Sequence, residues 1–214
     1  AITFTGATVD ITTAFNPNIA TGLGADTTSD AYSVTINTRA FNAAGDTNFL
    51  NKGTVTLGNE TADALTFIGG LGTTGNTTNP ALVQAAGTIN TTDTRMDIGA
   101  VTLTADTTFD TGNAAAGIMN IGAVTSGTNA LTLDSGSTAL ATMGLTSMVD
   151  ASGGLTIRDA GGLATIGDIG SAAAGTVTIS DSTGGVTFDA NVDSTTFTIA
   201  KSLDAAAITF TGDT

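Results

Sequence analysis

Apolar residues and Thr alternate in short bursts through the second half of the chain, and the bursts return at a nearly fixed spacing. "ALTLDSG" (130–136), "GLTIRDAG" (154–161), "TVTISDS" (176–182) and "TFTIAKS" (196–202) each place two apolar residues around a Thr. The pairs are Leu131/Leu133, Leu155/Ile157, Val177/Ile179 and Phe197/Ile199, and a polar turn follows each. Strict alternation of this kind marks a strand with one buried face. A second series runs beside the first. "RMDIGAVT" (95–102) and "IMNIGAVT" (118–125) are offset by 23 residues, and the same slot then fills at Met96, Met119, Met143, Ile166, Phe188 and Phe210, in steps of 23, 24, 23, 22 and 22. "LAT" precedes both Met143 and Ile166.

A unit of 22–24 residues with two or three short strands and no helix predicts one coil of a β-solenoid. Each strand pairs in parallel with its equivalent in the next coil, about 4.8 Å away. One coil cannot bury its inner face alone, whereas a stack can. The expected fold class is therefore all-β, with regular coils over 95–214 and irregular coils over 1–94. In the irregular part "ITFTGATVDITTAF", "AYSVTINTRAF", "KGTVTLGN" and "ALTFIGG" read as strands, and Asn16–Asp30 and Gly69–Pro80 as loops projecting from the coils.

"AITFTG" occurs twice, at 1–6 and 207–212, 206 residues apart. If Phe210 fills the Met96 slot, Phe4 is expected to share it, so that both copies sit at one phase of the winding. The predicted core ladder is then Phe4, Met96, Met119, Met143, Ile166, Phe188 and Phe210. Matching phase predicts one unit of a tandem or head-to-tail array of period about 206, with identical units associating end to end.

Composition sharpens this picture. The 214 residues include 46 Thr and 28 Gly, only 2 Pro and a single Glu, Glu60. Thr suits a pleated sheet and disfavours helix, while Asp, Asn and Gly supply turns. The net charge is −14, with five basic residues. Nucleic acid, which needs clustered Lys and Arg, is excluded as a partner. No apolar run is long enough to span a membrane as a helix.

Candidate chemistry is sparse. Without His or Cys there is no imidazole or thiol for a triad or a soft metal site. Paired carboxylates could hydrolyse glycosides, and Asp106 with Asp110, Asp159 beside Arg158, and Asp189 with Asp193 are the pairs to inspect. Asp is so common at turns that local hydrogen bonding explains them as well. No cofactor is expected. Calcium is the ion that turn carboxylates in successive coils would most readily collect, although the calcium-binding nonapeptide is absent and "DAGGLATIGD" (159–168) resembles it only in outline. Thr-x-Thr triplets such as Thr176/Thr178 and Thr196/Thr198 could rank on an ice-binding face, but their spacings are uneven. Asn59, Asn76 and Asn90 begin N-glycosylation tripeptides.

"IGAVTSGTNALTLDSG", "GLTIRDAGG" and "GTVTISDSTGGVTFDANV" resemble the repeat regions of giant bacterial secreted and surface proteins, the filamentous-haemagglutinin-like adhesins and autotransporter passengers. The resemblance implies a right-handed parallel β-helix, export to the cell surface, and a role as stalk, fibre or adhesin. It carries over no active site. The expectation from the sequence is a non-enzymatic structural repeat of an extracellular filament, sheath or adhesin. A carbohydrate-active or glycan-binding β-helix is the alternative, with glycans or cell surfaces as further partners.

Overall fold

The structure is a computed structural model describing residues 2–11, 32–75, 79–200 and 206–212. Those residues form strands and turns without a helix, so no helix among them is long and apolar enough to cross a membrane. The strands of the irregular part are β1 (Ile2–Ile11), β2 (Val34–Ala43), β3 (Thr47–Asn48), β4 (Thr54–Leu57), β5 (Ala64–Phe67), β6 (Leu71–Gly72) and β7 (Leu82–Asn90). There follow β8 (Met96–Ile98), β9 (Val101–Asp110), β10 (Met119–Thr125), β11 (Leu131–Asp134) and β12 (Met143–Val149). The last are β13 (Leu155–Asp159), β14 (Ala164–Ile179), β15 (Val186–Phe188), β16 (Val192–Ile199) and β17 (Ile208–Phe210).

Every recorded strand pair is parallel, and each joins a coil to the next. The chain is thus an all-β parallel solenoid with three strand positions per coil. Position one aligns Ile2, Val34, Val55, Val83, Val101, Val124, Met148, Ile169 and Val192. Position two aligns Val9, Phe41, Leu65, Ile89, Phe109, Leu133, Ile157, Ile179 and Ile199. Position three aligns Leu71, Met96, Met119, Met143, Ala164, Val186 and Ile208, with a parallel column two residues on at Ile98, Ile121, Leu145, Ile166, Phe188 and Phe210.

From Val34 on, alternation sends the residues of these columns inward and their Thr neighbours outward, because successive side chains of a strand face opposite sides. From Val34 to Phe188 the inward residues form one continuous core, most of them fully buried. Aromatic rings extend it: Phe41 lies 5.4 Å from Phe67, and Phe188 stacks on Phe210 at 5.1 Å. Corners demand small residues. A Cβ on Gly184 would come within 2.1 Å of the backbone at Gly162, and one on Gly161 within 2.2 Å of the backbone at Ser137. Such approaches between coils leave room only for glycine. Buried corner hydroxyls are satisfied locally. Thr111 Oγ1 donates to the Gly117 carbonyl at 2.7 Å, and Ser135 Oγ to that of Ala141 at 3.1 Å.

The structure departs from the sequence reading in four places. Met143 lies opposite Ala164, not Ile166, whose partners are Leu145 and Phe188. The predicted ladder therefore joins two neighbouring columns, Met96–Met119–Met143 and Ile166–Phe188–Phe210. The slip is by two residues, which keeps every side chain on its face, so the hydrophobic pattern cannot detect it. Phe4 lies at position one opposite Ile36, its ring 5.8 Å from that of Phe41, so the two "TFT" segments occupy different positions and share no phase. Gly69–Pro80, expected to be a loop, contains β6, where Leu71 is buried against Met96. Coil length also varies beyond 22–24: Val55 to Val83 takes 28 residues, and Val83 to Val101 only 18. The other expected loop, Asn16–Asp30, lies outside the described residues.

Candidate functional site

The outer surface carries three features built by stacking. The first is a column of six Thr on position two: Thr88, Thr108, Thr132, Thr156, Thr178 and Thr198. Each precedes an inward residue of the second column, so register alone aligns them. The flanking outward residues are mixed, including Asp106, Ala130 and Gly154 on one side. The Thr-x-Thr triplets therefore form two full ranks only at Thr176/Thr178 and Thr196/Thr198.

The second feature is electrostatic. A register shift between Leu133 and Asp134 pairs Asp134 with Asp159, leaving Arg158 as the extra residue. Such a bulge re-aims a side chain. Arg158 Nε meets Asp134 Oδ2 at 2.5 Å, and its Nη2 lies 3.4 Å from Asp110 Oδ2, so one guanidinium spans three coils. The arginine's partners are thus the carboxylates of the two preceding coils. Asp110 Oδ1 and Asp134 Oδ1 each accept from a turn amide, Gly112 and Gly136.

The third feature is a pair of hollows on position three, where glycines replace outward side chains. One of about 310 Å³ has a floor of Gly69, Gly70 and Gly72 and a wall of Asp46, Arg95 and Asp97. Arg95 forms an ion pair with Asp97. The other, about 330 Å³, lies over Gly144 and Gly167, between Asn120, Thr146, Thr165 and Asp189. Asn120 Nδ2 donates to Asp97 Oδ1 at 2.7 Å and links the walls of the two hollows. Of the floor glycines Gly70, Gly72 and Gly167 are buried and Gly69 and Gly144 are accessible, and the walls offer both donors and acceptors.

The carboxylate pairs named from the sequence separate. Asp106 and Asp110 are four residues apart on β9, Asp106 in the corner where pairing with β7 is interrupted and Asp110 at the end of position two. Asp106 Oδ1 accepts from the Ala130 amide at 2.8 Å. Asp189 borders a hollow, whereas Asp193 lies on β16 at position one. Among the described residues no three carboxylates converge on a point that could hold a cation. Asn59 is exposed on a turn held by Asp63, whose Oδ2 accepts from the amides of Asn59 and Glu60 at 2.9 and 3.3 Å. Asn90 Oδ1 is engaged by Thr92, and Asn76 lies outside the described residues.

No protein-family model, curated protein or solved structure matches the chain.

The hollows and the Arg158 clasp were not singled out from sequence. Glycine at outward strand positions is the signal that could have located the hollows. Nothing in the sequence marks the clasp, which depends on a bulge.

Proposed function

We propose that the chain is a non-enzymatic structural repeat of an extracellular bacterial filament, sheath or giant adhesin, acting as a stiff rod that stacks end to end. The supporting observation is the set of parallel ladders that joins successive coils over an apolar core continuous from Val34 to Phe188. Backbone hydrogen bonds run along the axis of such a rod, so load along it is shared among many bonds. The Thr- and Asp-rich exterior keeps the rod hydrated and anionic. The likeness of its repeats to those of filamentous-haemagglutinin-like adhesins and autotransporter passengers agrees with this reading.

Shaving intact producing cells with an impermeant protease tests it. Peptides of this chain should be released without lysis and electron micrographs should show rods. Peptides found only after lysis would overturn the surface location, and compact particles would overturn the rod.

The hollows favour one second reading, a glycan-binding β-helix in which Asp46, Arg95 and Asp97 hold a polar saccharide chain. A glycan array separates the two, since binding abolished by Arg95→Ala would favour the second.

A further inference from the structure

The corner between position one and position two takes a different number of residues in successive coils. Val34 to Phe41 is seven residues, Val55 to Leu65 is ten, and Val83 to Ile89 is six. The middle coil thus carries three residues more than the coil before it and four more than the coil after it. Parallel stacking has no place in the wall for them, and they leave it as a turn. Asn59, Glu60, Thr61 and Ala62 are all exposed, whereas Gly58 and Asp63 at the base of the turn are buried.

The base is fixed from both neighbouring coils. Gly58 N–H donates to the Ile36 carbonyl at 2.8 Å, and the Asp63 carbonyl accepts from Thr88 N–H at 2.8 Å. Gly87 lets the next coil approach: a Cβ there would stand 2.3 Å from the Asp63 carbonyl oxygen and 2.8 Å from that of Glu60. Within the turn Asp63 Oδ2 holds the amides of Asn59 and Glu60, and Asp63 N–H donates to the Glu60 carbonyl at 3.1 Å. All these bonds use main-chain groups of the exposed residues. The Asn59 carboxamide and the Thr61 hydroxyl make no hydrogen bond among the described residues. Asn90 is placed differently. It ends β7, paired with Thr66 on one side and Asp110 on the other, and its Oδ1 accepts from the amide and the hydroxyl of Thr92.

We propose that Asn59 is a glycosylation site, its carboxamide nitrogen accepting a sugar activated at C1 as a diphosphate ester of a nucleotide or a lipid. Asn59, Glu60 and Thr61 supply the required tripeptide on a protruding turn. In the transfer a bond forms from the nitrogen to C1. The bond from C1 to the diphosphate oxygen breaks, its electron pair leaves with the diphosphate, and the amide proton passes to a base of the transferase. The turn keeps every one of its hydrogen bonds, because none involves the Asn59 side chain, so the folded coil accommodates the sugar. The inference rests on the reading of an exported surface chain, since such tripeptides are modified in secreted proteins.

Tandem mass spectrometry of peptides shaved from intact producing cells tests it. The tryptic peptide 53–95 holds all three tripeptides. The expected result is sugar mass on Asn59 and none on Asn90. A single sugar identifies a nucleotide-linked donor and an oligosaccharide of fixed composition a lipid-linked one; either supports the site. Asn59→Gln and Thr61→Val each abolish the added mass. Both side chains are exposed, so both variants keep the far-UV circular dichroism of the parent.

A bare Asn59 in the shaved peptides, or sugar on Asn90 in its place, overturns the inference and leaves the surface reading standing. Undiminished modification of Thr61→Val also overturns it, because the tripeptide would then not be what is recognised. Peptides of this chain found only after lysis remove the surface reading, and Asn59 in those peptides decides the site separately: sugar there upholds it and a bare side chain overturns it.

Discussion

The two-residue slip at Met143 gives the sharpest test of the register. Gly144 lies opposite Thr165, both facing outward, whereas pairing Met143 with Ile166 would set Thr165 opposite Thr142. The chain has no Cys, so an introduced pair has no competitor. Neighbouring parallel strands lie about 4.8 Å apart, inside the 4.4–6.8 Å or so between Cα atoms that a disulfide accepts. A two-residue offset adds roughly 6.6 Å along the strand and lengthens the separation to about 8 Å, which a disulfide does not span without backbone movement. A Cβ at Gly144 meets nothing closer than Asn120 Oδ1 at 3.6 Å, so the substitution is accommodated. Gly144→Cys with Thr165→Cys should therefore oxidise quantitatively, and Thr142→Cys with Thr165→Cys should not. Closing a loop of about 21 residues stabilises by about 3 kcal/mol in the chain-entropy estimate. For a chain of this size that is about 7 °C or more in Tm. Free-thiol titration and thermal circular dichroism, with and without reductant, read both quantities. Faster oxidation of the Thr142/Thr165 pair, or a reductant-sensitive Tm in that variant alone, would refute the observed register and restore the 23-residue step.

Phe109→Ala should cost about 3–5 kcal/mol, since the ring is fully buried between Ile89 and Leu133, and denaturant titration measures it. Arg158→Ala should cost about 1 kcal/mol or less at low salt, because the side chain is half exposed; the loss should shrink at high salt, and an undiminished loss there would argue against the clasp. Asn113→Ala removes the oxygen that accepts from the Ser137 amide and hydroxyl at 2.8 and 2.9 Å, so hydrogen exchange at Ser137 should accelerate with a loss of about 1 kcal/mol. Far-UV circular dichroism should show β signal that persists on heating well past the mesophilic range, and a sharp transition near 50 °C or so would contradict the stacked-core account.

How much of this was legible depends on local contrast between the two faces of a strand. In "LTL", "LTI", "VTI" and "FTI" only one alignment buries both apolar residues, and the pairings Leu131–Leu155–Val177–Phe197 and Leu133–Ile157–Ile179–Ile199 follow from it. At "LATI" the contrast fails. Ala164 and Ile166 both suit the interior, and the repeated "LAT" invites an alignment that hydrogen bonding rejects, for Met143 N–H donates to the Leu163 carbonyl. Phe4 misled for a related reason, since a "TFT" segment fits any of the three positions. β6 has a single large apolar residue among Gly and Thr, too little pattern to read as a strand. The hollows escape because absent side chains leave no periodic signal, and the clasp because its Arg reaches residues 24 and 48 positions earlier.

The parallel winding also fixes how far along the chain each contact must search. At position three successive partners are 21 to 25 residues apart from Leu71 to Ile208, whichever part of the rod is considered. Closure entropy grows only with the logarithm of loop length, so each new coil meets nearly the same barrier as the last. Folding can then spread as a zipper from any pair of coils already formed, and lengthening the rod adds steps without making any one of them harder.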